Sequence, residues 1–347
     1  MARRQEQEAA RSEVSEVADG VLRMELPIRM PGLGHVNCYA ILDADGAAVV
    51  DPGLPGPGTW RALQGRLKQA GLEPRHVHSV IFTHSHPDHF GGAGRFAKEF
   101  GSKVVAHHSF GAGVLTPSAA PEVSVDDLAA GANAAVADES TSEAGDAKPA
   151  STREQDRRAI EQLRAATTGT TPWGGEHARP PWRTKLKWRV MRWLGSSVIP
   201  TITHPVDHGD VLTLAGREWV VVHTPGHTGD HFCLHDPETG VFLAGDHVLP
   251  SITPHISGIS SSPDPLSSFF FSLDRVAEMT GIGQVLPAHG HPFDDLAARC
   301  RAIKRHHHER LDEVRAISRD IGPATVRAFS ERCLLYTSDA ADDSSVV

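Results

Sequence analysis

The chain has 347 residues, 39% of them hydrophobic, and a formal net charge of −9. That length and apolar content fill one large α/β domain with a small appendage. The acidic balance argues against a protein built mainly to coat nucleic acid, and no run approaches the roughly 18 apolar residues that a membrane span needs.

Residues 1–19 are expected to be a flexible N-terminus, without the apolar core of an export signal. Strands are predicted over 21–26, 36–42 and 47–50, the last ending in Asp51-Pro52-Gly53. A helix over about 58–70 closes at Gly71. A short apolar strand over 79–82 then runs directly into Thr83-His84-Ser85-His86-Pro87-Asp88-His89. Gly91-Gly92 opens the next helix, and 103–106 is the next strand. Strand, loop and helix repeated in this way indicate a layered α/β domain. Residues 118–150 contain no aromatic and seven acids against one lysine, too little apolar surface to offset ordering, so they are expected to be a disordered insertion. A polar helix over 153–166 follows. Segment 181–194 then sets Trp182, Leu186, Val190 and Trp193 at helical spacing beside five basic residues. Strands resume over 211–214, 218–222, 232–234 and 241–244, followed by a helix over 265–279 and a strand over 284–286. A long helix from 294 carries Leu296, Cys300, Ile303, His307, Leu311, Val314 and Ile321 on one stripe and ends at Gly322-Pro323. Residues 333–347 resemble a translated sequencing-library adapter and are set aside, so the native C-terminus is expected to be missing.

Four cysteines, Cys38, Cys233, Cys300 and Cys333, show no paired spacing, which suits a reducing, cytoplasmic location. Histidine is the unusual residue, with 22 against two tyrosines. It is the commonest metal ligand, so its placement decides the chemistry. At the end of a predicted strand, alternate residues share a side, so His84 and His86 can grip one cation. Asp88 and His89 fall in the turn after Pro87 and can face a second. Further donors follow downstream, each after its own strand: His227 in His-Thr-Pro-Gly-His-Thr-Gly, Asp246 in Leu-Ala-Gly-Asp-His, and His289 in Leu-Pro-Ala-His-Gly. Nitrogen and oxygen donors without a thiolate suit zinc in an open catalytic site.

The order H-x-H-x-D-H, then PGH, then GD, then a final H resembles the metallo-β-lactamase superfamily, over residues 20–295 apart from the insertion. The resemblance implies a four-layer αββα sandwich. It also implies two zinc ions (iron or manganese as alternatives), with His84, His86 and His227 on one, Asp88, His89 and His289 on the other, and Asp246 bridging. Asp88 would then serve as metal ligand and proton handler, and Asp51 would orient a ligand histidine. A two-metal site lowers the pKa of a shared water towards neutrality and polarises the departing oxyanion. The expected activity is hydrolysis of a small ester, thioester or lactone, resembling the glyoxalase-II-like branch.

Residues 296–332 resemble the start of a winged-helix appendage, on Arg-His-His-His-Glu-Arg-Leu followed by Gly-Pro-Ala-Thr. Relatives bearing such an appendage include RNA cutters, so a metal-dependent endoribonuclease acting on RNA is the rival enzyme. Salt-sensitive binding of single strands would favour it. A β-lactam hydrolase and a non-catalytic binding module are further alternatives, the last disfavoured by the complete donor set. Residues 151–200 are expected to form a helical, lid-like insertion, because a chain leaving between two ligand clusters emerges near them. His247 and His255 flank Asp246 as possible substrate contacts or structural groups. His107-His108, His204 and His208 are expected to be ordinary surface histidines, and His306-His307-His308 to lie on a solvated helix.

Overall fold

The computed structural model describes residues 4–30, 32–110, 200–256 and 264–325, with short pieces up to 333. Segments 118–150 and 151–199 and the tail from 334 lie outside the described residues. So do the expected disordered insertion, the lid with its tryptophans, and nearly all of the set-aside end.

Two sheets carry the domain. The first runs in chain order through β1 (Val14–Ala18), β2 (Val21–Met30), β3 (Leu33–Asp43), β4 (Gly46–Val50), β5 (Val77–Ile81), β6 (Lys103–His107) and β7 (His204–Val206). It is antiparallel as far as β4 and parallel from β4 to β7. The second contains β8 (Val211–Leu214), β9 (Arg217–His223), β10 (Phe232–Asp236), β11 (Val241–Gly245) and β12 (Gln284–Pro287), in the order β12-β11-β10-β9-β8. Only its β11–β12 pair is parallel. The helices are α1 (Pro57–Gln69), α2 (Pro87–Phe90), α3 (Ala93–Phe100), α4 (Pro265–Ala277) and α5 (Leu296–Ile321).

The apolar strands are buried on both faces, and period-two geometry sorts their side chains into different cores. On β3, Cys38 and Ala40 join Trp60, Leu63 and Leu67 of α1 and Phe96 of α3, whereas Tyr39 and Ile41 point between the sheets. There they meet Trp219, Val221, Phe232, Leu234 and Leu243 of the second sheet. On β10, Cys233 turns the other way and packs with Phe269, Leu273 and Val276 of α4 and with Leu296, Cys300 and Ile303 of α5. Three cores between four layers give the αββα sandwich, and burying each large side chain contributes about 1.5–3 kcal/mol.

Three local differences from the sequence expectations have physical causes. Residues 4–19 are not a loose lead-in. Val14–Ala18 pairs antiparallel with β2, and Glu6, in a short 3-10 turn, is fully buried. Its carboxylate accepts from the amides of Ser251 (2.8 Å) and Ile252 (3.2 Å) and from the Ser251 hydroxyl. Nothing local marks an acid whose partners lie more than 200 residues away. The β7 strand, His204-Pro205-Val206, is short, polar and proline-bearing, as a sheet edge tolerates. Finally, the triple-histidine stretch is not evenly solvated. His307 packs on Phe269 and Phe270, with ring centroids 5.8 and 5.9 Å apart. Among the described residues no helix is long and apolar enough to cross a membrane.

Candidate metal centre

Every expected donor lies just past the carboxyl end of a strand: Asp51 after β4, His84 to His89 after β5, His227 after β9, Asp246 after β11 and His289 after β12. Strand ends suit this role because the backbone there is no longer committed to the ladder yet stays anchored by it. The sheets are tied together at the same edge. The Phe232 amide donates to Thr83 O (3.0 Å), and the Asn37 amide donates to Ala288 O (2.7 Å). The Asn37 side-chain amide donates to Pro287 O and Gly290 O (both 2.8 Å), and the Tyr39 hydroxyl also donates to Pro287 O (2.7 Å). These bonds fix the turn that presents His289.

The seven donors fall into two groups. One donor atom each from His84, His86, His227 and Asp246 lies within 4.8 Å of the others, and so do those of Asp88, His89 and His289. Asp246 stands between the groups. Its Oδ2 is 3.4 Å from His227 Nε2, 3.8 Å from His84 Nε2 and 3.6 Å from His89 Nε2, while its Oδ1 is 3.3 Å from His289 Nε2. Asp88 Oδ2 is 3.5 Å from His289 Nε2 and 3.6 Å from His89 Nε2.

These separations decide between an ion-pair cluster and a cation site. Charge-assisted hydrogen bonds run to about 2.7–2.9 Å. Donors about 2.0–2.1 Å from a tetrahedral zinc stand about 3.3 Å from one another. The carboxylate–imidazole gaps of 3.3–3.8 Å lie nearer the second pattern, while His84 Nε2 and His86 Nδ1 stand 3.0 Å apart. In addition, His89 Nε2, His227 Nε2, His289 Nε2 and Asp246 Oδ1 are buried without a hydrogen-bond partner, an arrangement that is costly unless something shared satisfies them. The donor set fits a pair of divalent cations.

The second nitrogen of each ring fixes which atom is presented. His289 Nδ1 donates to the His35 carbonyl and His227 Nδ1 to the His255 carbonyl, both at 2.6 Å. His89 Nδ1 lies 3.0 Å from Asp51 Oδ2. Asp51 is itself locked: Thr83 donates to it through its amide (2.8 Å) and hydroxyl (3.0 Å). Its φ of +55° is one that an aspartate tolerates better than most residues. His255 is exposed, so its contribution here is a main-chain carbonyl. His247 is fully buried, edge-on to Phe269 at 5.3 Å, with no surface open to a ligand.

The sequence analysis missed His231. It is fully buried, and its Nε2 accepts from the Asp246 amide (3.0 Å) while Nδ1 lies 2.7 Å from the Thr224 hydroxyl. Burial, followed by the neighbouring His247, holds it well below the ordinary imidazole range, so it stays neutral and accepting. Its only signal is adjacency, in Pro-Gly-His-Thr-Gly-Asp-His. The electrostatics of the centre call for positive charge. Burial acts to raise Asp88 and Asp246, but the His89 and His289 imidazoles outweigh it and hold both carboxyls well below the usual range. Burial acts to lower His89 and His289, yet the carboxylates push His289 up to about 10 and His89 well above its usual value.

Residues 31–308 match the family model of the metallo-beta-lactamase superfamily. The chain belongs to that superfamily. A solved metallo-beta-lactamase family protein from Thermus thermophilus is similar at 26% identity and a TM-score of 0.65, over 92% of this chain and 88% of that one. Among curated proteins, the acyl-coenzyme A thioesterase MBLAC2 of Homo sapiens is 31% identical over 110 residues, 30% of this chain and 37% of that protein. A hydroxyacylglutathione hydrolase of Marinomonas sp. (strain MWYL1) is 46% identical over 46 residues, 13% of this chain and 18% of that protein. The chain thus spans about a third or less of the length of these curated relatives.

Proposed function

We propose that this superfamily member is a two-zinc hydrolase of small acyl thioesters. The observation that carries the metal dependence is the position of Asp246 between the two donor groups, within 3.3–3.6 Å of the buried, unpartnered Nε2 atoms of His227, His89 and His289. His84, His86 and His227 would hold one ion and Asp88, His89 and His289 the other. The names of two of the curated relatives, an acyl-coenzyme A thioesterase and a hydroxyacylglutathione hydrolase, support the thioester among the candidate substrates, whereas others are named only as lactamase-like proteins. Bound there, a pair of divalent cations supplies Lewis acidity and makes water nucleophilic near neutral pH. Asp88, ionised and beside His289, is suited to take the proton of the attacking water as its oxygen bonds to the acyl carbon. The carbon–sulfur bond breaks, and the leaving thiolate takes up the proton. The carbonyls of His35 and His255 and the Asp51 carboxylate keep the three rings they touch in register while this happens.

The test is elemental analysis of the purified chain, together with a hydrolysis screen of acyl-coenzyme A and acylglutathione thioesters, lactones, β-lactams and RNA. About two zincs per chain are expected, with thioester turnover lost on chelation and restored by zinc. Full activity without bound metal would overturn the metal dependence. Turnover of another substrate class alone, with both metals present, would overturn the thioester.

Cation loading should also release protons. In the cation-free protein the raised pKa values leave His89 and His289 protonated at pH 7. A cation must displace those protons, so its affinity should rise with pH through the neutral range. An indicator dye in weak buffer would report the release on zinc addition. Uptake with no proton release would contradict the protonation scheme.

A further inference from the structure

The described residues hold a third group of metal-type donors that the centre around Asp246 does not use. It comprises His107 at the end of β6, the next residue His108, and Asp207 directly after β7, with one donor atom of each within 4.8 Å of the others. His107 is only 3% exposed. Its Nδ1 meets the Ser109 hydroxyl at 2.7 Å and accepts from the Ser109 amide at 3.3 Å, while Nε2, on the carboxylate side, is buried without a hydrogen-bond partner. Asp207 Oδ1 stands 3.5 Å from it, and Asp207 Oδ2 stands 3.4 Å from His108 Nδ1. These gaps again exceed a charge-assisted hydrogen bond and approach the about 3.3 Å between donors on a tetrahedral zinc.

The group is held in shape by its surroundings. The His208 amide donates to Asp207 Oδ1 at 2.7 Å and fixes the carboxylate. The His223 ring stacks on His107 with centroids 4.1 Å apart and planes 12° apart. Two imidazoles and a carboxylate thus offer donor atoms within 4.8 Å of one another.

We propose that His107, His108 and Asp207 form a third divalent-cation site, selective for a first-row transition ion such as zinc. Two imidazoles with one carboxylate suit such an ion better than magnesium or calcium, which prefer oxygen ligands. The site joins β6 to β7, whose pairing is only three residues long, from Val105 with His204 to His107 with Val206. The described chain leaves this edge after residue 110 and returns at residue 200. An ion bound here binds the folded form alone and so stabilises a short, proline-bearing edge strand. The inference does not depend on the proposed activity.

The full chain, stripped by chelator and titrated with zinc alone, tests it by calorimetry and by elemental analysis after desalting. A third equivalent should saturate in the micromolar range, with the thermal midpoint still rising past the second equivalent. His108 and Asp207 have side chains 56% and 62% exposed, so a His108→Asn, Asp207→Asn double variant should fold normally and bind one equivalent fewer. Asp246→Ala should retain this equivalent even as it loses zinc elsewhere. No third equivalent in the native chain, saturation only at millimolar zinc, or an unchanged third equivalent in the double variant would each overturn the site.

Discussion

Replacing Asp246 with alanine should lower thioester turnover by at least about a thousandfold, roughly 4 kcal/mol of transition-state stabilisation, and should also weaken the fold. Asp246 is the one described side chain with oxygens within 3.8 Å of histidines from both donor groups. Without it neither group keeps its full ligand set, and nothing spans the gap between them. The fold is weakened as well, because Asp246 is a buried counter-charge of His289 and His89. Truncating it leaves those imidazoles without that partner, and a loss of about 3–5 kcal/mol is expected. Kinetics, elemental content and thermal unfolding on the same variant check both losses. A variant that keeps two zincs and near-native kcat would show that the carboxylate does not hold the centre together.

Gly245→Ala should be nearly as damaging to activity and comparably damaging to folding. Gly245 has φ +52°, and a Cβ there would lie 2.6 Å from His231 Nε2 and 2.9 Å from the Thr83 side chain. The left-handed backbone costs an alanine about 1–2 kcal/mol, and forcing a methyl into a packed site costs about 1–3 more. Both contacted residues are buried, so neither can swing aside. His231 accepts from the Asp246 amide, and Thr83 bonds Asp51; relieving the clash therefore moves the carboxylates of both groups. Denaturant unfolding and zinc content should fall together. An alanine variant that unfolds at the native midpoint with full zinc would show that the site has room.

Much of this centre was legible in the sequence because each donor directly follows an apolar strand and the donor types repeat in a recognisable order. The strands were legible because most are buried on both faces and so stand out as short apolar runs between turn residues. What could not be read is what fixes the rings. The carbonyls of His35 and His255 are main-chain groups, and any residue could supply them. Asn37, Tyr39 and His231 act through contacts between the two sheets, and no spacing in the chain encodes those. Glu6 reads as one acid in a polar stretch until its partners at 251 and 252 arrive. His107 reads as a surface residue until β6 buries it against His223.

The order in which donors occur along the chain also sets an order of assembly. Every member of the group formed by His84, His86, His227 and Asp246 has been synthesised once residue 246 is made. The group formed by Asp88, His89 and His289 waits for β12, the only strand of the second sheet to join it by a parallel pairing, β11 with β12, across α4. His289 must then reach back to the carbonyl of His35, 254 residues earlier. Long-range pairing of this kind is the slow part of folding. A nascent chain therefore carries every donor of the first group before it carries the last donor of the second.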